Sequence, residues 1–290
     1  MSTIFLGGTA GNDVLNGGDG DDYIFGNGGI DTMSGGNGND QIYSSNIDRA
    51  GAPDLLGDVM NGGAGNDLMF GGDGNDRMNG NGGNDQINAG GGNDWLNGGE
   101  GNDTLDGGAG NDMAIYAGAR DTYTVGRPAG GMPATVVAAD MSSDALIGIE
   151  RLQFSDTAVA YDINGNAGKM FRLYQAIFDR PSDKAGLGYW INVADNGAAW
   201  TDIAGGFTNS PEFTHLYGAN STNAEFLTAL YHNALHRDVD QEGLNYWLDV
   251  MANHGQTREM VLLGFSESAE NKAQVIGSIQ NGIEFTVFTG

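Results

Sequence analysis

The sequence predicts a chain of mixed class: a stacked array of short β-strands, a brief all-β segment, and an all-α domain made of two copies of one unit. Three observations predict it. From residue 7 to residue 115 a nine-residue unit, G-G-x-G-N-D-x-U-x with U apolar, recurs with its aspartate always in the same phase. Past residue 116 this period gives way to alternation of apolar and polar residues, the mark of strands. From residue 165 the apolar spacing changes to three and four, the mark of helices, and the segment repeats itself at a displacement of 57.

In the array the aspartates fall at Asp13, Asp22, Asp31, Asp40, Asp58, Asp67, Asp76, Asp85, Asp94, Asp103 and Asp112, spaced by nine except for one gap of eighteen. Two residues after each comes an apolar residue: Leu15, Ile24, Met33, Ile42, Met60, Met69, Met78, Ile87, Leu96, Leu105 and finally Ala114. Glycines at the first, second and fourth positions, as in Gly17, Gly18 and Gly20 before Asp22, let the backbone take positive φ and point its carbonyls inward. Such a turn is a cup of oxygens. A hard cation such as calcium takes six to eight oxygen ligands, so carbonyls plus one carboxylate per turn suit it. One apolar side chain per unit cannot bury itself alone, so neighbouring units must stack.

On these residues the stretch resembles the RTX, or haemolysin-type, calcium-binding repeat. The resemblance implies a right-handed parallel β-roll in which two units make one coil and units eighteen residues apart lie above one another. One edge would then carry Asp13, Asp31, Asp67, Asp85 and Asp103, the other Asp22, Asp40, Asp58, Asp76, Asp94 and Asp112. It also implies several Ca2+ ions between stacked turns, each held by the aspartates of both turns and by carbonyls of the glycine-rich positions. In this chain those positions are Gly17, Gly18, Gly20, Gly35, Gly36, Gly38, Gly62, Gly63, Gly65, Gly71, Gly72, Gly74, Gly83, Gly92, Gly98, Gly99, Gly101, Gly107, Gly108 and Gly110. Asp22 and Asp40 would share an ion, as would Asp67 and Asp85. Residues 44–61 keep the period and lose the glycines, and Arg49 stands where a carboxylate is expected. An insertion two units long is expected to bulge outward for one coil, to leave both edges in register, and to interrupt the edge that carries Asp13 and Asp31.

Composition separates the array from the rest. Residues 1–118 hold 33 of the 51 glycines and 18 acidic residues against two basic ones, Arg49 and Arg77. Crowded carboxylates and glycine entropy oppose folding without counter-charge, so metal binding should be coupled to folding, at the sub-millimolar to millimolar calcium typical of extracellular modules. The net charge of −26 disfavours binding to nucleic acid or an anionic membrane. No apolar run approaches the twenty or so residues of a transmembrane helix, and the chain contains no cysteine.

Residues 119–164 read as a β-strand cap or linker, with strands over Asp121–Val125, Ala134–Ala138, Ile149–Phe154 and Thr157–Tyr161 and a turn at Arg127–Gly131. They would cover the open end of the roll.

Residues 165–275 read as a helical repeat domain. Tyr174 to Arg180, then Asp183, Gly186, Leu187, Tyr189 and Trp190 match Tyr231 to Arg237, then Asp240, Gly243, Leu244, Tyr246 and Trp247. Gly206-Phe207, Ser210 and Glu212 match Gly264-Phe265, Ser268 and Glu270. The pattern resembles the domain-of-unknown-function family 4214, common beside RTX arrays, and brings no catalytic residues. His232 and His236 have zinc-ligand spacing, but Asn233 stands where a zincin needs glutamate, so they read as ordinary helix histidines. Asp238 to Asp249 mimics an EF-hand loop that the first copy lacks, so Asp183 and Asp240 read as helix N-caps. Tyr189, Trp190, Tyr246 and Trp247 read as core.

No G-x-S-x-G, H-E-x-x-H, phosphate loop or cysteine nucleophile is present, so the chain reads as a non-enzyme. The array begins within ten residues of Met1, so no catalytic domain is expected ahead of it. The favoured function is a secreted calcium-binding structural or surface protein presenting a helical interaction module in a surface layer or adhesion matrix, with cell-surface polysaccharide or self-assembly as partners. The alternative is a polysaccharide-acting extracellular enzyme with its site in the helical half. The amino terminus lacks the features of a cleaved export signal. The RTX resemblance instead implies type I secretion to the extracellular space or cell surface; residues 276–290 read either as its carboxy-terminal signal or as a terminal β-strand or frayed end.

Overall fold

The computed structural model describes residues 2–45, 55–127 and 131–288. Arg49 and the middle of the turn at residues 127–131 lie outside them. The chain divides into two compact units, Met1–Val159 and Ala160–Gly290.

The first unit is a parallel β-roll. Each nonapeptide gives a turn and one short strand: β1 (Phe5–Gly7), β2 (Val14–Asp19), β3 (Tyr23–Phe25), β4 (Thr32–Asn37), β5 (Gln41–Tyr43), β6 (Val59–Ala64), β7 (Leu68–Gly72), β8 (Arg77–Gly82), β9 (Gln86–Gly90), β10 (Trp95–Glu100), β11 (Thr104–Asp106) and β12 (Met113–Ile115). Consecutive strands go to opposite sheets, so odd strands stack in the order β1-β3-β5-β7-β9-β11 and even strands in the order β2-β4-β6-β8-β10-β12. The apolar residue of each unit points between the sheets: Ile24, Met33, Ile42, Met60, Met69, Met78, Ile87, Leu96 and Leu105 are all buried. Burying each such side chain stabilises the fold by roughly 1.5–3 kcal/mol relative to exposure. Outward positions stack as well, with the rings of Phe25, Tyr43 and Phe70 in parallel at 5.2 and 5.1 Å.

The interruption differs from expectation. Val14 pairs with Thr32 and Arg77 with Trp95, steps of two units, but Thr32 pairs with Val59 and Gln41 with Leu68, steps of three. One extra unit, rather than two, is thus accommodated between successive coils. An odd number of units exchanges the two edges, so Asp58 stacks on Asp31 and Asp67 on Asp40. The edges are therefore Asp13, Asp31, Asp58, Asp76, Asp94 and Asp112 on one side, and Asp22, Asp40, Asp67, Asp85 and Asp103 on the other. Neither edge is interrupted, because the next aspartate in phase takes the vacant rung.

Beyond the repeats come a 3-10 turn at Arg120–Thr122 and the strands β13 (Thr124–Gly126), β14 (Thr135–Val137), β15 (Ser143–Ile147), β16 (Arg151–Gln153) and β17 (Ala158–Ala160). Two of them extend the roll in parallel: β15 pairs with β11 and β16 with β12. Antiparallel β14 and β13 then complete the odd sheet.

The second unit holds α1 (Asn166–Phe178), α2 (Lys184–Asp195), α3 (Trp200–Thr208), α4 (Pro211–Tyr217), α5 (Asn223–Leu235), α6 (Gln241–Asn253), α7 (Arg258–Ser266) and α8 (Ala269–Ile279). It is a duplication, α1–α4 matching α5–α8, and several residues of the shared motif have the same structural task in both copies. Arg180 grips Glu212 through two bonds of 2.7 and 2.8 Å, and Arg237 grips Glu270 at 2.8 and 3.2 Å. Asp183 and Asp240 cap α2 and α6 by accepting from the Gly186 and Gly243 N–H at 2.6 and 2.7 Å. Gly186 and Gly243 leave room for the hydroxyls of Tyr174 and Tyr231, each 2.7 Å from where a Cβ would stand. Trp190 packs on Phe207 at 4.9 Å and Trp247 on Phe265 at 5.2 Å. Ser210 and Ser268 cap α4 and α8. Tyr189 and Tyr246 are not core: they are 41 % and 60 % exposed, because an N-terminal helix turn turns adjacent residues to different faces. At the chain's end, β18 (Ile283–Phe285) buries Ile283 and Phe285 and is tied to α2 by the Thr286 N–H donating to the Lys184 carbonyl at 2.9 Å. No described helix is long and apolar enough to cross a membrane.

Candidate metal centre

The cups of the roll form two ladders of carboxylates. Along each edge the N–H of one aspartate donates to Oδ1 of the aspartate in the following coil: Asp22 to Asp40, Asp40 to Asp67, Asp67 to Asp85 and Asp85 to Asp103, all at 2.8 Å. On the other edge Asp13, Asp31, Asp58, Asp76, Asp94 and Asp112 are joined likewise at 2.7–2.9 Å. A second ladder runs the opposite way through the residue before each aspartate. The N–H of Asn66, Asn84 and Asn102 donates to Oδ1 of Asn39, Asn66 and Asn84 in the preceding coil, at 2.6–2.8 Å. This ladder, absent from the sequence reading, gives the N of the G-N-D pattern a role: its side-chain oxygen accepts from the following coil.

Because Oδ1 is used along the ladder, Oδ2 remains for another purpose. The Oδ2 atoms of Asp22, Asp40, Asp67, Asp85 and Asp103 are buried and accept no hydrogen bond. Each faces the first glycine of its own turn, five residues earlier. A Cβ built on Gly17 would collide with Asp22 Oδ2 and stand 2.5 Å from the Gly35 carbonyl oxygen of the next coil. The same pair of oxygens meets a Cβ on Gly35, Gly62, Gly71, Gly80 and Gly107, drawn from Asp40, Asp67, Asp76, Asp85 and Asp112 and from the carbonyls of Gly62, Gly80, Ala89, Gly98 and Gly148. Glycine is required at this position because carboxylate and carbonyl converge on the space a side chain would fill. Gly26 and Gly80 also hold it and were missed by the sequence reading, although each lies five residues before an aspartate.

At the second position Gly18, Gly36, Gly63, Gly72, Gly99 and Gly108 take φ of 102°, 113°, 122°, 104°, 104° and 85°. Asn27 and Asn81 replace glycine there at 72° and 73°, which asparagine tolerates. At the fourth position Gly20, Gly38, Gly65, Gly83, Gly92, Gly101 and Gly110 take φ between 125° and 154°; Gly74 does not share the positive φ. It lies against the Leu56 carbonyl, in the one turn that lacks the glycine pattern.

Burial pushes the ladder carboxyls upward, against the backbone N–H bonds that favour ionisation: Asp40 and Asp85 rise above the ordinary range, Asp103 and Asp112 to about 6, and Asp67 and Asp94 to about 7. A neighbouring cation would reverse the shift. The donor set fits calcium: hard oxygens alone, carboxylate and main-chain carbonyl together, around buried carboxylates. No group of three or more His, Cys, Asp or Glu side chains suited to a metal occurs among the described residues, so an ion here depends on the carbonyls.

In the helical unit the other candidates dissolve into structure. Glu242 and Asp249 lie within α6 rather than in a loop. His236 ends α5 in a left-handed conformation, φ 51°, and His232 is exposed on that helix.

A roll of stacked acidic glycine cups defines the first unit as a metal-binding β-solenoid. Residues 7–44, 56–87 and 79–114 match the RTX calcium-binding nonapeptide repeat, and residues 170–217 and 204–275 match a domain of unknown function, DUF4214. The chain is thus an RTX calcium-binding repeat array followed by a DUF4214 domain. No curated protein matches it.

Proposed function

We propose that the chain is a secreted, calcium-stiffened structural or surface protein whose roll folds on calcium and presents the duplicated helical domain as an interaction module. Ions would sit between stacked cups, Asp22 with Asp40 and Asp67 with Asp85, taking Oδ2 atoms and the carbonyls of the first glycines. The observation that supports this best is the convergence of a buried, unbonded carboxylate oxygen and a carbonyl oxygen at one cup after another. Calcium there supplies positive charge and closes the cups; the protein's own part is to align oxygens and exclude water.

The structural roles of the arginine, aspartate, serine, glutamate and tryptophan pairs of the shared motif support a scaffold rather than catalysis. An exit by type I secretion and a place in a surface layer or adhesion matrix, binding polysaccharide or further copies of the chain, agree with an acidic array that folds only where calcium is abundant. Circular dichroism during calcium titration, with light scattering in parallel, tests both parts. The reading requires β-structure to appear with calcium and to vanish with chelator, and an identical spectrum in both conditions would overturn it.

A further inference from the structure

The ladders do not stop where the nonapeptides do. Strand β16 pairs with β12 so that Arg151 lies opposite Met113, which places Glu150 in register with Asp112 although 38 residues separate them. Glu150 Oε2 accepts the Asp112 N–H at 2.8 Å, the bond that each aspartate ladder uses. The cup is completed in the same way. A Cβ on Gly107 would stand 2.6 Å from Asp112 Oδ2 and 2.5 Å from the Gly148 carbonyl oxygen, and Gly148 takes a positive φ of 59°. Asp112 is fully buried, and its Oδ2 accepts no hydrogen bond.

The other edge continues only in part. Asp144 follows Asp103 in register and accepts its N–H at 3.0 Å. The three atoms nearest a Cβ on Gly98 all belong to Asp103, whereas at Gly107 the Gly148 carbonyl oxygen is the nearest atom.

We propose that the roll carries one cation site more than its repeats encode, a calcium-class site between Asp112, the Gly148 carbonyl and Glu150. It rests on the reading that the repeat cups bind calcium. The site joins the last nonapeptide to a strand with no repeat sequence, so that the ion fastens the closing segment to the roll. Arg151 is buried opposite Met113, donates its backbone N–H to the Asp112 carbonyl at 3.0 Å, and its charge favours the ionised Asp112 carboxylate.

Native mass spectrometry of the full chain, at calcium that just saturates the wild type, counts the ions. Glu150→Gln, which keeps the acceptor and removes the charge, should bind one ion fewer. Glu150→Asp should bind the wild-type number, and Asp40→Asn serves as the repeat-cup control. An unchanged count in Glu150→Gln, with fewer ions in Asp40→Asn, would overturn the terminal site alone. A wild type without ions would overturn the repeat reading and this site together. Should Glu150→Gln stay unfolded, the Glu150→Asp count decides: the wild-type number supports the site and one ion fewer overturns it.

Discussion

The Asp31 N–H donates to Oδ1 of Asp58 at 2.7 Å across 27 residues, whereas the bonds before and after it in the same ladder, Asp13 to Asp31 and Asp58 to Asp76, span 18. A rung therefore needs an aspartate in phase and is indifferent to how many residues separate it from the last. Deleting residues 46–54 would restore the regular step without moving any rung. The deletion variant is expected to keep the calcium midpoint of folding within about twofold, well under the 1.4 kcal/mol of a tenfold change. A calcium titration followed by circular dichroism measures it.

Asp85→Asn separates the two tasks of a ladder residue. The amide oxygen can still accept the Asp67 N–H, a bond of 2.8 Å, but the charge facing the cup is gone. In saturating calcium the variant should lose roughly 1–3 kcal/mol, the usual cost of depriving a buried polar group of its partner. In chelator it should lose nothing or gain. Denaturant unfolding under both conditions gives the difference, and equal losses in both would contradict the assignment.

Protons and calcium should compete. Without metal the folded carboxyls of Asp67 and Asp94 titrate at about 7, and those of Asp103 and Asp112 at about 6, above the unfolded value near 3.9. The folded state then holds more protons than the unfolded one between about pH 4 and 7, so its stability falls as pH rises through that window. Chelated protein should gain β-structure on acidification from pH 7.5 to 5. The calcium midpoint should rise over the same interval, because each ion must displace protons. Dichroism at fixed chelator and calorimetric titration in two buffers of different ionisation heat test the two statements.

Ala89 occupies the position that Gly17, Gly35, Gly62, Gly71, Gly80, Gly98 and Gly107 hold in other turns, so a methyl fills the space those glycines leave open to their carboxylate and carbonyl oxygens. Ala89→Gly should tighten calcium binding. Gly80→Ala, the reverse change on the other edge, should weaken it by an amount on the order of the 1–3 kcal/mol of an overpacked core. Isothermal titration of both variants beside the wild type gives opposite signs if cups need an open first position.

In the helical unit Arg172 is buried, bonds Glu267 through Nε and Nη2 at 2.6 and 3.0 Å, and donates from Nη1 to the Ile163 carbonyl at 2.7 Å. Arg172→Ala leaves Glu267 with Lys272 alone at 3.0 Å. It should cost about 3–5 kcal/mol. Thermal unfolding of the full chain should show the helical transition lowered while the calcium-dependent transition stays in place.

The sequence made legible whatever is fixed by phase. Aspartate and apolar positions could be read because each coil repeats the same physical demand, a ligand at the turn and a core residue two places on. Edge membership could not, because inserting nine or eighteen residues leaves phase unchanged while only one of them exchanges edges. Gly26 and Gly80 escaped notice because Asn27 and Asn81 supply the positive φ that a second glycine usually marks. Asp144 and Glu150 join the ladders at separations of 41 and 38 residues, fixed by strand pairing rather than by any local pattern. In the helical domain the motif was visible, but its meaning required seeing Arg180 reach Glu212 and Arg237 reach Glu270.

The amide ladder through Asn39, Asn66, Asn84 and Asn102 points opposite to the carboxylate ladder beside it. Every coil is thereby both donor and acceptor toward each neighbour, and all inner coils become interchangeable parts. A gene that gains or loses units changes only how tall the stack is, by about 4.8 Å for each pair. Height becomes a quantity that inheritance can adjust without redesigning any contact, much as a ruler is lengthened by adding marks.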